Sequence, residues 1–192
     1  IELSVRYGIS QVCPIYLNTA RHLEDQIRRS GVTVLGEVGL DPGIDHISAA
    51  RTIHNIHAEG GQVESFWSVC GSLPDHTANN NPLGYKLTWA PESLVGASVR
   101  DAVIVKNQKQ VFYPRGETFR HYTLEEIQGL GWFEVYANAD STPYIQQYGM
   151  PEAKDVFRGT LRFPGWCDFV VATNSLGLYG QKKMSLEGVT FA

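Results

Sequence analysis

The sequence predicts an α/β (α+β) domain in which helices pack on a mixed β-sheet. Short apolar segments of strand length alternate with longer segments whose apolar residues recur at helical spacing. Glycine, proline or asparagine stands between most of these segments. The chain has 192 residues, 43% of them hydrophobic and 19% charged, which suits one folded domain with a substantial core. We therefore predict a single domain across residues 1–192.

The first third of the chain is predicted to alternate between helix and strand. The predicted elements are a helix over 18–30, a strand over 32–37, a helix over 42–59 and a strand over 62–70. Gly31 and the Gly60–Gly61 pair mark the ends of the two helices. Asp41 is the predicted N-cap of the second helix, and Pro42 fits its first turn. This order favours two adjacent parallel strands joined by a crossover helix.

The remainder of the chain continues this mixed pattern after a polar loop over 74–82. The predicted elements are an extended piece over 85–89, a helix from Pro91 that carries apolar residues as far as Val103, strands over 110–113 and 133–137, a short helix over 142–148, a strand over 155–163 and a helix over 168–176. The sequence shows no repeat, low-complexity tract or interdomain linker. One continuous domain is the expected organisation.

Composition argues against several classes of protein. The formal net charge of −4 disfavours a nucleic-acid surface, which needs clustered lysine and arginine. No apolar run is long enough to cross a bilayer, and no secretory signal is visible. Three scattered cysteines do not suggest a disulfide framework or a zinc site, so each is expected to be a small apolar residue in a reducing, cytoplasmic setting. The chain begins with Ile1, which favours a processed or excised piece.

The chain lacks the motifs of several common sites. There is no Walker A sequence, no G-x-G-x-x-G fingerprint and no G-x-S-x-G elbow, so we predict no nucleotide site and no hydrolase triad. His54 and His57 stand three residues apart on a predicted helix, but no third ligand has a supporting spacing. We expect this pair to lie on the exposed helix face and predict no metal site.

Four blocks of sequence point to one family. They are GEVGLDPGIDH over 36–46, CGSLP over 70–74 with NNPLGYKLTW over 80–89, NADSTPY over 138–144 followed by Tyr148–Gly149, and RGTLRF over 158–163. In this order, over about residues 30–170, the blocks resemble the saccharopine dehydrogenase (saccharopine reductase) family of lysine metabolism. Four ordered blocks are far more specific than a single glycine motif.

The resemblance implies the substrate-binding and dimerisation domain of a two-domain dehydrogenase. In such an enzyme a Rossmann domain, absent from this chain, holds NAD or NADP. The implied reaction is oxidation of the secondary amine of saccharopine by hydride transfer, after which water hydrolyses the imine. The implied partners are a saccharopine-like amino acid and a second copy of the chain, with no nucleic acid and no membrane.

Saccharopine carries three carboxylates, so its site needs several cationic or N–H donors. The residues that the resemblance assigns to substrate binding are Gly39, Leu40, Asp41, His46, Asn81, Tyr85, Lys86, Asn138, Asp140, Ser141, Thr142 and Arg158. Arg162 is a further cationic candidate, because its spacing of four residues from Arg158 places both on one face of a strand. The sequence identifies no general base.

Each of these groups also has a purely structural interpretation. The 36–46 turn is either an anion site built from backbone N–H groups or a tight turn without a ligand. The 138–142 cluster is either a binding site or a helix N-cap. Arg158 and Arg162 are either ligand contacts or surface charges on an edge or half-exposed strand. The residues alone do not decide between these alternatives.

Two positions depart from the family pattern. Ala139 stands where the family usually has arginine, and Glu92 offers no positive charge in a segment that is basic in some members. Two alternatives to saccharopine oxidation therefore stay open. One is a dehydrogenase for a different opine-like amine or imine, and the other is a non-catalytic ligand-binding or dimerisation module.

Overall fold

The structure is a computed structural model and describes residues 1–81, 85–180 and 188. The described chain divides into two compact units. The first comprises residues 1–63 with 148–150, and the second comprises residues 64–147 with those from 151 onward. The expectation of one domain across residues 1–192 stays a prediction. Among the described residues, no helix combines the length and the apolar character that a membrane span requires.

The first unit is built around a small parallel sheet. Its elements are α1 (Glu2–Tyr7), β1 (Gln11–Val12), a 3-10 helix (Leu17–Leu23) that runs directly into α2 (Glu24–Ser30), β2 (Val34–Leu35) and α3 (Ile44–Ala58). Gln11 pairs with Val34 and Val12 with Leu35. The helix predicted over 18–30 is thus part 3-10 and part α, and the strand predicted over 32–37 is only two residues long.

Helix α3 begins two residues later than the sequence predicts, and its N-cap is Gly43. The N–H of Gly39 donates to the carbonyl of Pro42 at 2.9 Å, which closes a tight turn ahead of the helix. The carboxylate of Asp41 accepts the Tyr16 hydroxyl at 2.8 Å. Asp45 instead accepts the Gly43 N–H at 2.8 Å. The prediction of Asp41 as the N-cap and Pro42 in the first turn was therefore wrong.

The second unit contains the larger sheet. Its elements are β3 (Ser65–Cys70), α4 (Pro91–Ser98), β4 (Ala102–Lys106), β5 (Lys109–Tyr113), β6 (Thr123–Ile127), β7 (Gly131–Ala137), α5 (Pro143–Gln147), β8 (Asp155–Arg162) and α6 (Trp166–Ser175). In the described residues the strand order is β5-β4-β8-β7-β6, and β3 pairs with β8. Among the described strands of this sheet, β3–β8 is the parallel pairing and the others are antiparallel, so the predicted mixed sheet with helices is confirmed.

Two topological predictions were wrong. The strand–helix–strand segment over 33–70 does not form adjacent parallel strands, because β2 pairs with β1 and β3 pairs with β8. The helix from Pro91 ends at Ser98, and Ala102–Val103 belong to β4. Periodicity identifies an apolar segment but not the distant strand that will pair with it. Elements α1, β1, β4 and β6 were not predicted.

The register of β7 and β8 gives the sheet one polar face. Tyr136 pairs with Thr160 and Glu134 with Arg162, and residues paired in this way share a face. Strand alternation adds Arg158 to the same face. An aromatic and apolar cluster includes Tyr136 from this face. Its buried members are Tyr85, Phe119, Tyr136, Trp166, Cys167 and Val170.

Candidate functional site

The residues expected to bind substrate fall into three groups, one in the first unit and two in the second. The first group is the turn from Gly39 to His46. Here the N–H groups of Gly39, Ile44 and Asp45 donate to carbonyls of the same turn at 2.9–3.0 Å. The N–H of Gly43 is taken by the Asp45 carboxylate. These amides are therefore occupied within the turn, and an anion at this helix start needs other donors.

Side chains of the first group are held by aromatic neighbours. His46 Nδ1 lies 2.6 Å from the hydroxyl of Tyr148, and its ring meets that of Tyr16 edge-on with the ring centres 6.0 Å apart. Its Nε2 lies 3.8 Å from a carboxylate oxygen of Asp45. Tyr16 in turn donates to Asp41. The orientation of the His46 ring is thus set by contacts inside the first unit.

The second group lies between β7 and α5. Asp140 accepts both the N–H and the hydroxyl of Thr142 at 2.8 Å, so its carboxylate closes a local turn ahead of α5. Ser141 is fully buried; it accepts the backbone N–H of Arg158 at 3.0 Å and donates its own N–H to the carbonyl of Val103. Both residues therefore have the structural role that the sequence left open.

Other members of this group differ in exposure. Asn138 is exposed, and its N–H donates to the carbonyl of Arg158 at 2.9 Å. Ala139 adopts a positive φ of 56°. Arg158 donates from Nη1 to the hydroxyl of Tyr144 at 2.6 Å, and its guanidinium lies 4.7 Å from the centre of that ring. Thus α5 supplies the ring that holds this cation.

Neither arginine of β8 is a surface charge on an edge strand. Arg158 is 8% exposed and Arg162 is 4% exposed, and β8 has paired strands along both sides. The interpretation of these arginines as half-exposed surface charges was therefore wrong. Burial of two cations on one sheet face restricts their number of rotamers, which is what a preorganised anion site requires.

The third group is the segment that contains Asn81, Tyr85 and Lys86. The side-chain amide of Asn81 donates to the carbonyl of Tyr85 at 2.7 Å and accepts the Tyr85 N–H at 3.4 Å. Trp89 Nε1 donates to the Tyr85 hydroxyl at 3.0 Å. Lys86 is half-buried, and its ammonium has no hydrogen-bond or ion-pair partner among residues 1–81, 85–180 and 188.

Two further residues on the polar face were missed by the sequence analysis. Glu134 is 2% exposed, and its two carboxylate oxygens accept the N–H groups of Gly165 at 2.6 Å and Cys167 at 2.7 Å. The start of α6 is therefore neutralised by this chain's own carboxylate and is not a ligand site. Tyr136 lies beside Arg162 in the cluster. In the sequence, the available indication of this polar face was the carboxylate of Glu134 and the phenol of Tyr136 at alternate positions of one strand.

Neither Tyr136 nor Cys167 is poised for proton transfer near neutral pH. Burial raises the pKa of Tyr136 to about 12, although the positive charge of Arg162 opposes this shift. Burial also raises the pKa of the Cys167 thiol, and the neighbouring Glu134 adds to the shift. Cys13, Cys70 and Cys167 are free thiols, with Cys13 and Cys167 buried as expected. No described residue is thereby identified as a general base.

Two observations on the described residues bear on metal and dinucleotide binding. No group of three histidine, cysteine or acidic side chains that could hold a metal ion occurs among them. His54 is exposed and His57 is half-buried on α3. The glycine turn between β2 and α3 uses its helix-start amides internally, so it does not offer the free N–H groups that a pyrophosphate needs.

Comparisons with known proteins agree with this architecture. Residues 39–190 match the family described as the saccharopine dehydrogenase C-terminal domain. The chain is 35% identical over 184 residues to saccharopine dehydrogenase [NADP(+), L-glutamate-forming] of Pyricularia oryzae and 37% identical over 179 residues to that of Saccharomyces cerevisiae. The matches cover 95% and 93% of this chain but only 41% and 40% of those proteins. The chain therefore spans about two fifths of the length of these relatives.

Other relatives and a solved structure extend the comparison. The chain is 35% identical over 176 residues to mitochondrial alpha-aminoadipic semialdehyde synthase of Bos taurus, covering 88% of this chain and 19% of that protein. Apo saccharopine dehydrogenase (L-Glu forming) of Saccharomyces cerevisiae matches with a TM-score of 0.77 and 37% identity, covering 93% of this chain and 40% of that one. The resemblance seen in the four sequence blocks is confirmed: this chain belongs to the saccharopine dehydrogenase C-terminal domain family.

Proposed function

We propose that this chain is the substrate-binding and dimerisation part of an NAD(P)-dependent saccharopine dehydrogenase-like oxidoreductase of lysine metabolism. The observation that carries the proposal is the family match over residues 39–190 together with relatives named as NADP(+), L-glutamate-forming saccharopine dehydrogenases. The reaction converts saccharopine, water and the oxidised cofactor into glutamate, a semialdehyde and the reduced cofactor. The cofactor, held outside this chain, accepts the hydride.

The chain's own contribution is to bind and orient carboxylates. Lys86 is the best supported ligand contact, because its ammonium has no partner in the described part of the chain and its neighbours are fixed by Asn81. Arg158 supplies a buried cation that Tyr144 holds in one orientation. Charge-assisted hydrogen bonds to carboxylates are strong, and correct positioning lowers the barrier as well as KM.

The exposed parallel sheet of the first unit supports a Rossmann domain elsewhere in the same polypeptide. Parallel sheets are normally covered on both faces, and a two-stranded sheet is marginal alone. Yet Val12 is 67% exposed and Leu35 is 53% exposed on one face. Further strands and helices of the enzyme would cover these side chains. We place NAD or NADP in that domain.

A homodimer through the second unit is part of the same proposal. Trp67 of β3 stacks on Phe157 of β8, with ring centres 6.1 Å apart, and is nevertheless 48% exposed. A large aromatic side chain at a sheet surface is typical of an interface core. Sedimentation equilibrium tests this: we expect a dimer from the parent protein and a shift toward monomer from Trp67→Glu, and a parent monomer would contradict the proposal.

The central experiment is oxidation of saccharopine by the complete polypeptide that contains this chain, with either cofactor. Lys86→Ala should lower kcat/KM by about 10- to 100-fold, the value of one charge-assisted hydrogen bond of about 1.5–3 kcal/mol. The matched control is Lys106→Ala, which removes an exposed lysine at the end of β4 and should leave kcat/KM unchanged. Absence of turnover in the folded parent protein would refute the proposal.

A different amine substrate is the second candidate, and Ala139 and Glu92 are the observations that favour it. Because neither position carries a positive charge, two potential contacts to substrate carboxylates are missing. Activity measured on a panel of opine-like secondary amines distinguishes the two substrates: a higher kcat/KM on an amine with fewer carboxylates supports the alternative. A folded protein that binds such amines without turnover would be a ligand-binding module. Residues 1–192 alone should produce no NAD(P)H.

A further inference from the structure

We propose that Arg162 is a positioning residue that fixes the segment over 85–89 and, through it, Lys86. The inference rests on the proposed function, since it concerns the carboxylate-binding role of Lys86. The guanidinium carbon of Arg162 lies 5.5 Å from the ring centre of Tyr85 and 6.0 Å from those of Trp89 and Trp166. Two of these rings flank Lys86 in sequence, so one buried cation of β8 contacts the segment on both sides of the lysine.

Arg162 lies opposite the buried Glu134 of β7, but the Glu134 oxygens accept the N–H groups of Gly165 and Cys167 and form no ion pair with Arg162. Arg162 is 4% exposed, its Nη1 donates to the carbonyl of Leu161 at 2.7 Å, and its Nε is buried without a hydrogen-bond partner among the described residues. It forms no ion pair in the described part of the chain. Burial of a guanidinium outside ion-pair distance of a carboxylate opposes folding, and aromatic faces compensate for only part of that penalty. Stability alone would favour an apolar side chain here.

The remaining contacts of the segment show what the cation fixes. Tyr85 is buried, its ring lies 4.7 Å from that of Trp166, and its hydroxyl accepts Trp89 Nε1. Beyond Lys86, the hydroxyls of Ser72 and Thr88 lie 2.7 Å apart. The guanidinium lies beside the rings of Tyr85, Trp89 and Trp166, so its removal would allow the first two to reorient. The backbone that carries Lys86 would then no longer be held in one position, and neither would its ammonium.

Two substitutions in the complete polypeptide test this role. Arg162→Met removes the charge but fills a similar volume, whereas Arg162→Lys keeps a cation near the rings. We expect Arg162→Met to accelerate hydrogen–deuterium exchange at the 85–89 amides and to raise the KM for saccharopine, each by about tenfold, with kcat and Tm retained. Arg162→Lys should restore part of both effects. Arg120→Met, at an exposed position paired with Glu117, is the control without effect.

Measurement of Lys86→Met in parallel separates this inference from the proposed function. Unchanged exchange over 85–89 in Arg162→Met overturns the positioning role. Faster exchange with a parental KM in Arg162→Met, while Lys86→Met raises KM, also overturns it. If Lys86→Met leaves KM unchanged while exchange in Arg162→Met is faster, the segment is positioned as proposed, and the carboxylate-binding role of Lys86 is what fails.

Discussion

Replacement of Glu134 by glutamine removes a buried carboxylate that two backbone N–H groups need. The oxygens of Glu134 accept Gly165 N–H at 2.6 Å and Cys167 N–H at 2.7 Å at the start of α6. Glutamine retains one acceptor, but its NH₂ group faces the other N–H donor. The loss of one charge-assisted bond costs about 1.5–3 kcal/mol, and the loss of negative charge at the helix start adds about 0.5–1 kcal/mol. We expect a destabilisation of about 2–4 kcal/mol.

The assay is urea and thermal unfolding followed by circular dichroism. For a protein of this size, about 2–4 kcal/mol corresponds to a decrease in Tm of roughly 4–16 °C. Glu126→Gln makes the same chemical change at an exposed position of β6, and it should leave Tm within 1 °C of the parent value. If Glu134→Gln is as stable as Glu126→Gln, the carboxylate does not cap α6, and the account of this helix start is wrong.

Three further changes have distinct expected outcomes. Gly43→Ala should destabilise by more than about 2 kcal/mol in urea unfolding, because φ is +151° and a Cβ would collide with the backbone of Gly39; Gly60→Ala, with positive φ but open space, should cost only about 1 kcal/mol. Ser141→Ala should cost about 1–3 kcal/mol in the same assay, because it removes the hydroxyl that accepts the buried N–H of Arg158; a parental urea midpoint would contradict this. The pKa of the Tyr136 phenol is near 10 in the unfolded chain and about 12 in the folded protein, so rising pH favours the unfolded state between these values. The parent protein should therefore lose about 2–3 kcal/mol of stability between pH 10 and pH 12, and Tyr136→Phe should abolish this loss.

Local signals predicted the long elements well. The helix over 42–59 and the strand over 155–163 have strong periodicity, and the observed bounds, Ile44–Ala58 and Asp155–Arg162, differ by at most two residues. The apolar residues from Leu94 to Val103 satisfy helical spacing although the last of them belong to β4. Tertiary pairing decides such a case, because β4 gains partners in β5 and β8 that the sequence does not show.

The sequence named residues for a candidate site but did not show which contacts each of them makes. Asp140 and Ser141 were expected from family blocks as substrate contacts, but the structure occupies Asp140 with Thr142 and Ser141 with the backbone of Arg158. Sequence also left open whether Arg158 was exposed, because burial depends on the strands that pair with β8 on both sides. The substrate contacts themselves stay predictions, and Lys86 is the one whose surroundings in the described residues leave a charge free to bind.

The short return of residues 148–150 to the first unit has a consequence for how this protein can be divided. The chain passes between the two units three times, after residues 63, 147 and 150. A cut after Val63 would therefore leave Tyr148 on the other fragment and deprive His46 of its hydrogen bond. Neither unit is a continuous stretch of sequence. A chimaera that exchanges the first unit between relatives must therefore exchange residues 148–150 as well as residues 1–63.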